Sequence, residues 1–107
     1  MTSTIAELND AMRRGGPAVG RWMMTQGVMA EGLAFMLLAA QAVQQHEYFS
    51  PDDDPYGEHD FGAFTLCGQR LFWKIDYYDH TMRQGSPDPS DPILTVRVLT
   101  IMLASEY

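Results

Sequence analysis

The spacing of apolar residues predicts three regular elements in the first half of the chain. Apolar residues recur at helical spacing behind a capping box formed by Thr4 and Glu7, and Gly15-Gly16-Pro17 ends this first helix. Residues 19–28 alternate loosely between apolar and polar positions and are bounded by glycines, which predicts a strand. From Met29 to about His46, Ala, Leu, Met and Gln predominate, which predicts a long, largely buried helix.

Two alternating runs in the second half predict an aromatic hairpin over residues 59–79. The runs cover residues 60–66 and 70–78, and Cys67-Gly68-Gln69 separates them with a glycine at the turn. Successive side chains of a strand point to opposite faces. The core face is therefore predicted to receive Phe64, Leu66, Leu71, Trp73 and Ile75. The opposite face is predicted to receive His59, Phe61, Ala63, Lys74, Asp76 and Tyr78.

The C-terminal segment carries two conflicting signals. Ser90 or Asp91 as a cap before Pro92 favours a helix, whereas the β-branched content of ILTVRVLTIM favours a strand. The length of the segment and its ending in Ala104-Ser105-Glu106 lead us to expect a helix over 91–106. The predicted order is α-β-α-β-β-α. This is a single α+β domain over 1–107, with helices packed on a small antiparallel sheet and an acidic loop at 50–57.

Charge is distributed unevenly along the chain, and its sign limits the kinds of molecule that the protein is expected to bind. The chain is 46% hydrophobic and has a formal net charge of −7, and residues 1–46 hold three acids against three arginines. The net negative charge therefore lies entirely in the rest of the chain. Because a negative surface repels phosphate backbones, we expect no direct nucleic-acid binding and a basic protein as partner. The alternative is that the charge only keeps a small protein soluble.

Cysteine content and hydropathy are used to predict the cellular compartment of the protein. A lone Cys67 excludes an internal disulfide and a cysteine-rich zinc site. The N-terminal residues lack the basic leader and apolar run of a signal peptide, and the apolar segment 28–43 is interrupted by Glu31. We therefore expect a cytoplasmic protein that does not enter a membrane. The oligomeric state is left open.

His59 and Asp76 form the first candidate for chemistry. The two residues lie on the same face of the predicted hairpin, with Lys74 beside them. An aspartate that is hydrogen-bonded to a histidine raises the basicity of the imidazole, and this is the arrangement of a general base. A hydrolase or nuclease centred on these residues, Glu58 and Asp60 is one hypothesis. The hydrolase hypothesis lacks a well-placed nucleophile, because Cys67 lies at the end of the hairpin far from His59. The competing interpretation is an ionic network that fastens the loop to the sheet.

A divalent cation is the second candidate, with ligands drawn from Glu58, His59, Asp60 and Asp79. The acidic loop does not match an EF-hand, because Pro55 occupies a ligand position and the closing glutamate is missing. Histidine spacing matches no zinc pattern either. A solvated acidic face is the simpler interpretation of the aspartate run, and we expect no cofactor.

The third candidate is a surface that combines aromatic and acidic side chains. Tyrosines between carboxylates suit an arginine- or lysine-rich partner, through cation–π contacts and charge-assisted hydrogen bonds. The residues predicted to bind such a partner are Asp52, Asp53, Asp54, Tyr56, Glu58, Asp60, Tyr78 and Asp79. The alternative is that half of the aromatic residues simply belong to the core.

The runs DPYGEHDFG, FWKIDYYD, GSPDPSDP and RVLTIMLASEY resemble a bacterial family catalogued as domain of unknown function 3768. The resemblance extends from Leu8-Asn9-Asp10 to Tyr107 and implies no activity, substrate or cofactor. It does imply a genetic context, the accessory genes of proteobacterial plasmids and integrated mobile elements, among anti-restriction neighbours. With the charge pattern, this predicts a non-enzymatic interaction protein of a mobile element. Its target would be a host defence protein, of a CRISPR or restriction system, or a nucleic-acid-processing protein, which it could inhibit.

Overall fold

A computed structural model describes residues 4–107 and shows a four-stranded mixed sheet with three helices. In chain order the elements are α1 (Ile5–Gly15), β1 (Arg21–Met24), α2 (Gln26–Ala30), α3 (Leu33–Gln44), β2 (Phe61–Leu66), β3 (Gln69–Tyr78) and β4 (Val96–Leu103). A single 3₁₀ turn, Ala104–Glu106, follows β4. The predicted α+β class is confirmed.

The sheet has the strand order β1-β4-β3-β2. Strand β4 runs antiparallel to β3 and parallel to β1, and β2 pairs antiparallel with β3. The sheet is therefore mixed, where the sequence predicted an antiparallel one. One face of the sheet packs against α2 and α3 around fully buried Leu71, Trp73, Leu99 and Ile101. Removing these large side chains from water supplies the main driving force for folding.

The C-terminal segment is a strand, so the predicted helix over 91–106 is wrong. All eight residues of β4 pair with β3, and four of them also pair with β1. Asp91, one of the two residues predicted to cap this helix, lies in a turn, where its carboxylate accepts a hydrogen bond from the Ile93 amide. The β-branched residues decided the outcome, because they pack well on a pleated surface and this strand is central. Within this segment, helical structure is limited to the 3₁₀ turn Ala104–Glu106.

The region between residues 19 and 46 is more segmented than its composition predicts. The predicted strand is confirmed over Arg21–Met24, but Gln26–Ala30 already forms a short helix. The helix expected from Met29 to His46 is divided at Gly32, whose φ of 98° is open to glycine and costly for other residues. At the N-terminus the capping box is confirmed, since Glu7 N donates to Thr4 Oγ1 and Thr4 N donates to Glu7 Oε1.

The pairing of β2 with β3 leaves Cys67 and Gly68 as a two-residue turn. Both residues have positive φ, 50° and 79°, as a type I′ turn requires. The resulting register places the five apolar residues predicted for the core face on that face. No helix within residues 4–107 is long and apolar enough to cross a lipid bilayer.

Candidate functional site

Helix α1 turns two polar residues, Asn9 and Arg13, inward, toward the sheet and α3. Arg13 is fully buried, and its guanidinium donates to the carbonyl oxygens of Val43 at 2.9 Å and Gln44 at 3.2 Å. These carbonyls belong to the last turn of α3, and the Val43 carbonyl also accepts a hydrogen bond from the His46 amide at 3.2 Å. The same guanidinium lies 5.6 Å from the ring centroids of Phe49 and Trp73. Arg13 therefore closes the end of α3 and joins it to α1.

Asp10 connects α1 to the loop that follows α3. Its carboxylate accepts hydrogen bonds from Arg13 at 3.0 Å and from His59 Nδ1, which lies 3.1 Å from both oxygens. Burial pushes the pKa of Asp10 upward, but these two donors and their charges outweigh it and hold the pKa below its ordinary value. Asp10 is therefore an ionised anchor for the loop.

Asn9 is fully buried and joins three separate parts of the chain. Its amide nitrogen donates to the Glu58 carbonyl at 2.9 Å and to the Tyr77 hydroxyl at 2.8 Å, and its amide oxygen accepts from Arg97 Nε at 2.9 Å. Burial raises the pKa of Tyr77, so its hydroxyl stays protonated and donates to the Glu58 carboxylate at 3.2 Å. We call this set, together with Asp10, Arg13 and His59, the α1 network.

The predicted His59–Asp76 pair does not form. His59 has a positive φ of 55°, and its ring stacks on Phe49 with centroids 4.0 Å apart, next to α1. Asp76 instead bonds Lys74 at 2.9 Å on the other face of the sheet. The left-handed backbone at His59 breaks the alternation that the prediction assumed. Both ring nitrogens of His59 face carboxylates, Nδ1 at Asp10 and Nε2 at 3.9 Å from Asp54.

The residues predicted to bind a partner lie in several parts of the structure, and four of the eight line one groove. Asp54 is buried and accepts from the His59 amide at 3.2 Å, and the half-buried Glu58 accepts from Tyr77, so both carboxylates are engaged within the protein. Asp79 accepts from the amide and hydroxyl of Thr81 within its own turn. Tyr78 lies on the sheet face that carries Lys74 and Asp76. The remaining four, Asp52, Asp53, Tyr56 and Asp60, line one open groove.

This acidic groove, of about 460 Å³, lies between the loop and the sheet face opposite α3. It contains four aspartates and one lysine. Its side chains are Asp52, Asp53, Pro55, Tyr56, Asp60, Phe61, Lys74, Ile75, Asp76 and Tyr107.

Aromatic rings form the apolar part of the groove. The Tyr107 ring meets Phe61 edge-on at 5.8 Å and Phe72 at 5.4 Å between centroids, and Phe61 lies 5.2 Å from Phe72. Tyr107 itself remains 76% exposed. The exposed ring of Tyr107, beside Phe61 in the groove, provides a surface on which a flat cationic group can stack.

The charges of the groove are only partly compensated. Lys74 is held by its hydrogen bond to Asp76, which raises the pKa of the lysine. No cation in the described part of the chain pairs with Asp60. Burial, followed by the nearby charge of Glu58 and then those of Asp54 and Asp76, raises the pKa of Asp60. The groove therefore holds a carboxylate that is unfavourably placed in the free protein.

A second depression, of about 550 Å³, continues the groove across the sheet and shares Lys74, Asp76 and Tyr107 with it. Glu106 marks its far side. The Glu106 carboxylate accepts from Thr25 Oγ1 at 2.6 Å and from the Gly27 amide at 3.0 Å, and these bonds lower its pKa. The open face of the sheet is thus bordered by acids at both ends.

The metal ligands predicted from the sequence are not gathered in one place. Among residues 4–107, no three His, Cys, Asp or Glu side chains are arranged so that they could hold a metal ion. Glu58 and His59 turn toward α1, Asp60 lines the groove and Asp79 caps a turn. The geometry gives no support to the alternative metal site.

Sequence reasoning missed the contribution of α1. Asn9 and Asp10 are poor helix formers in the middle of an amphipathic helix, and this was the available signal. The burial of Arg13 against α3 could not be deduced from the spacing of residues in the sequence. Arg97 likewise follows a turn and gains its role only through contact with Asn9.

Comparisons with known proteins give a family and nothing further. No curated protein and no solved structure matches this chain. Residues 24–106 match a family described as protein of unknown function, DUF3768, and this range includes α2, α3, β2 to β4, the acidic loop and most of the groove. The chain belongs to the DUF3768 family.

Proposed function

We propose that this protein is a non-enzymatic binding protein whose acidic groove takes an arginine- or lysine-rich segment of a protein partner. The observation that supports this most directly is Asp60. Its carboxylate lies in the groove, no cation among residues 4–107 pairs with it, and Lys74 is already engaged by Asp76. A ligand that supplied a positive charge would relieve the cost that raises the pKa of Asp60.

The groove offers such a ligand both charge and stacking. A guanidinium can lie against the rings of Phe61 and Tyr107 while its N–H groups reach the neighbouring carboxylates. Asp52 and Asp53 are exposed at the rim, and their charge would speed the encounter with a basic segment. Arginine suits this site better than lysine, because its planar fork both stacks and bonds carboxylates in pairs.

A hydrolase centred on His59 gains no support from the geometry. Each ring nitrogen already faces a carboxylate, and the ring is stacked on Phe49. Cys67, the candidate nucleophile, lies in the turn at the far end of β2 and β3. We therefore assign His59 to the architecture of the loop.

We further propose that the partner is a host defence or nucleic-acid-processing protein. The sequence resemblance associates the family with mobile elements, and proteins that handle nucleic acids present basic surfaces. A net charge of −7 suits contact with such a surface. Occupation of the partner's basic surface would compete with its nucleic acid and thereby inhibit it.

The proposal can be tested with a labelled peptide of alternating arginine and leucine, titrated with the protein in low and moderate salt. We expect binding that weakens as ionic strength rises, and no binding of the same peptide with citrulline in place of arginine. The double variant Asp52→Asn, Asp53→Asn should bind the peptide about tenfold more weakly, a loss of about 1.4 kcal/mol.

The matched control is the double variant Glu31→Gln, Glu47→Gln. It makes the same change in net charge at two exposed acids that do not line the groove. We expect its affinity to stay within about twofold of the parent protein. Equal losses in the two double variants would show that net charge alone attracts the peptide, and would contradict a groove site.

The partner itself can be identified by affinity purification from cells that carry restriction and CRISPR systems. We expect one basic protein to co-purify with the parent protein in stoichiometric amount. The Asp52→Asn, Asp53→Asn variant should recover much less of it. Equal recovery by both would place the partner's contact outside the groove.

A further inference from the structure

Strand β2 forms a free edge of the sheet and begins in the acidic groove. The strand order β1-β4-β3-β2 leaves β3 as the one strand that pairs with β2 among residues 4–107. Phe61, the first residue of β2, also lines the groove. A strand at the edge of a sheet carries a row of backbone N–H and C=O groups that can pair with a further strand.

The register of the hairpin shows which backbone groups point outward. Ile75 N donates to the Asp60 carbonyl at 2.8 Å, so these two residues form a hydrogen-bonded pair. Bonded and non-bonded pairs alternate along an antiparallel ladder. Phe61, Ala63 and Thr65 therefore direct their backbone N–H and C=O groups away from β3. In the described part of the chain, no other backbone group bonds to these outward groups.

This edge lacks the features that commonly keep another strand away. Natural edge strands are protected by charged side chains, by proline or by bulges. Residues 61–66 include no charged residue and no proline, and all six pair with β3 in an unbroken register. At the opposite edge of the sheet, β1 has only four residues and begins with Arg21. Strand β2 is therefore the edge that is better suited to accept a further strand.

The charges around β2 select the kind of strand that can be added. Four aspartates line the groove at the Phe61 end of the edge, and the one lysine there is paired with an aspartate. The side chain of Phe61 lies on the same sheet face as its partner Lys74. Every second side chain of an added strand lies on this face as well. A cationic side chain opposite Phe61 therefore meets carboxylates, whereas an acidic one is repelled.

We propose that the basic segment of the partner binds as an added β-strand along β2, antiparallel to it, with alternate side chains directed toward the acidic groove. This inference rests on the proposed function and adds the conformation of the bound segment. Main-chain hydrogen bonds to the edge supply affinity, and the groove supplies the preference for arginine or lysine at alternate positions. Antiparallel pairing is the commoner arrangement and is the one that β2 already makes with β3.

Backbone N-methylation of the arginine–leucine peptide tests this with the parent protein. In an antiparallel strand, the residues opposite Phe61, Ala63 and Thr65 bond the edge and also face the groove, so they are the arginines. N-methyl groups on the arginines should weaken binding at least about tenfold. N-methyl groups on the leucines should change the affinity less than about threefold, because those amides point to solvent.

The pattern of losses decides between the arrangements. A loss confined to the arginine set supports the antiparallel strand. A loss confined to the leucine set would show a parallel strand and would overturn the antiparallel arrangement. Equal losses with the two sets would overturn strand addition altogether.

Ala63→Pro removes one outward N–H from the edge and takes no hydrogen bond from the β2–β3 ladder. We expect it to bind the peptide about tenfold more weakly than the parent protein. The matched control is Ala63→Val, which adds a side chain of similar size and keeps the N–H. Its affinity should stay within about twofold of the parent, and equal losses in the two variants would contradict a backbone contact at this position.

Amide hydrogen exchange on the parent protein covers the case in which Ala63→Pro does not fold. The amides of Phe61, Ala63 and Thr65 should exchange readily in the free protein. With the peptide at about ten times its dissociation constant, their exchange should slow by about tenfold. Gly62 and Phe64, whose amides face β3, should be protected in both states. Peptide binding without new protection at the three outward amides would overturn the proposal.

Failure of strand addition is distinguishable from failure of the groove. Peptide binding that needs Asp52 and Asp53, but is insensitive to N-methylation and to Ala63→Pro, would leave the groove as the site and overturn only the added strand. Absence of peptide binding would contradict the groove and the added strand together. Sedimentation of the free protein tests a different occupant: a dimer that Ala63→Pro abolishes would assign the edge to a second copy of this chain and overturn the proposal.

Discussion

His59, in the loop that follows α3, and Asp10 of α1 form a bond that holds this loop to the helix: His59 Nδ1 lies 3.1 Å from both carboxylate oxygens of Asp10. Because the folded pKa of Asp10 is below that of the unfolded chain, its ionisation favours folding. This contribution is complete above the ordinary aspartate pKa of about 3.9 and is lost as the pH falls through the lowered folded value.

Replacement of His59 by alanine should destabilise the fold. The variant loses the bond to Asp10 and the stacking on Phe49, and alanine is less favourable than histidine at a φ of 55°. We expect a loss of about 1–2 kcal/mol, which lowers Tm by roughly 5–10 °C in a domain of this size. Thermal unfolding followed by circular dichroism measures it.

His80→Ala is the control for this change. The His80 ring is exposed and bonds the carbonyl of Ile93 only, so its removal should lower Tm by much less. Equal shifts in the two variants would contradict the assignment of His59 as an anchor of the loop.

Arg13→Lys should be far more damaging than Arg14→Lys, although the two residues are adjacent. Lysine at position 13 cannot bond the α3 carbonyls and Asp10 at once, and it loses the planar contact with Phe49 and Trp73. We expect Arg13→Lys to cost about 2–4 kcal/mol in urea unfolding, because a buried network is broken.

The Arg14 guanidinium is 64% exposed and approaches Asp10 at 3.9 Å. Its replacement by lysine should therefore change stability by less than about 0.5 kcal/mol. If Arg13→Lys were equally mild, Arg13 would not be the link between α1 and the end of α3.

Asp60→Asn should raise stability at neutral pH. Burial and neighbouring acids raise the folded pKa of Asp60, so its favourable contribution is present below the ordinary value and is lost as the pH rises through the raised value. Asparagine removes the charge that is unfavourable at pH 7. The groove is open to solvent, so we expect a gain below about 1 kcal/mol.

Urea unfolding at several pH values measures this effect. The gain should shrink as the pH falls through the raised pKa of Asp60, because the wild-type carboxyl then takes up a proton and loses its charge. Asp52→Asn, at an exposed position, serves as the control and should give a smaller change. A fixed gain at every pH would mean that charge at Asp60 is not the cause. The same Asp60→Asn variant should bind the arginine peptide more weakly, as expected of a residue that serves binding at the expense of stability.

Features that depend on residues close together in the chain could be predicted from the sequence. The capping box of Thr4 and Glu7 is local chemistry, and the alternation of Leu71, Trp73 and Ile75 assigns these side chains to one face of a strand. The α+β class and the family follow from such patterns.

Tertiary structure decided the rest, because contacts distant in the chain outweighed local preference. The local sequence of β4 favours both a helix and a strand. The segment forms a strand because it pairs with β3 on one side and with β1 on the other. His59 was expected beside Asp76 from strand alternation, but its positive φ turns it to Asp10 instead. Asn9 and Arg13 gain their partners only when α1 docks, since a buried polar group must find its hydrogen bonds wherever the fold places them.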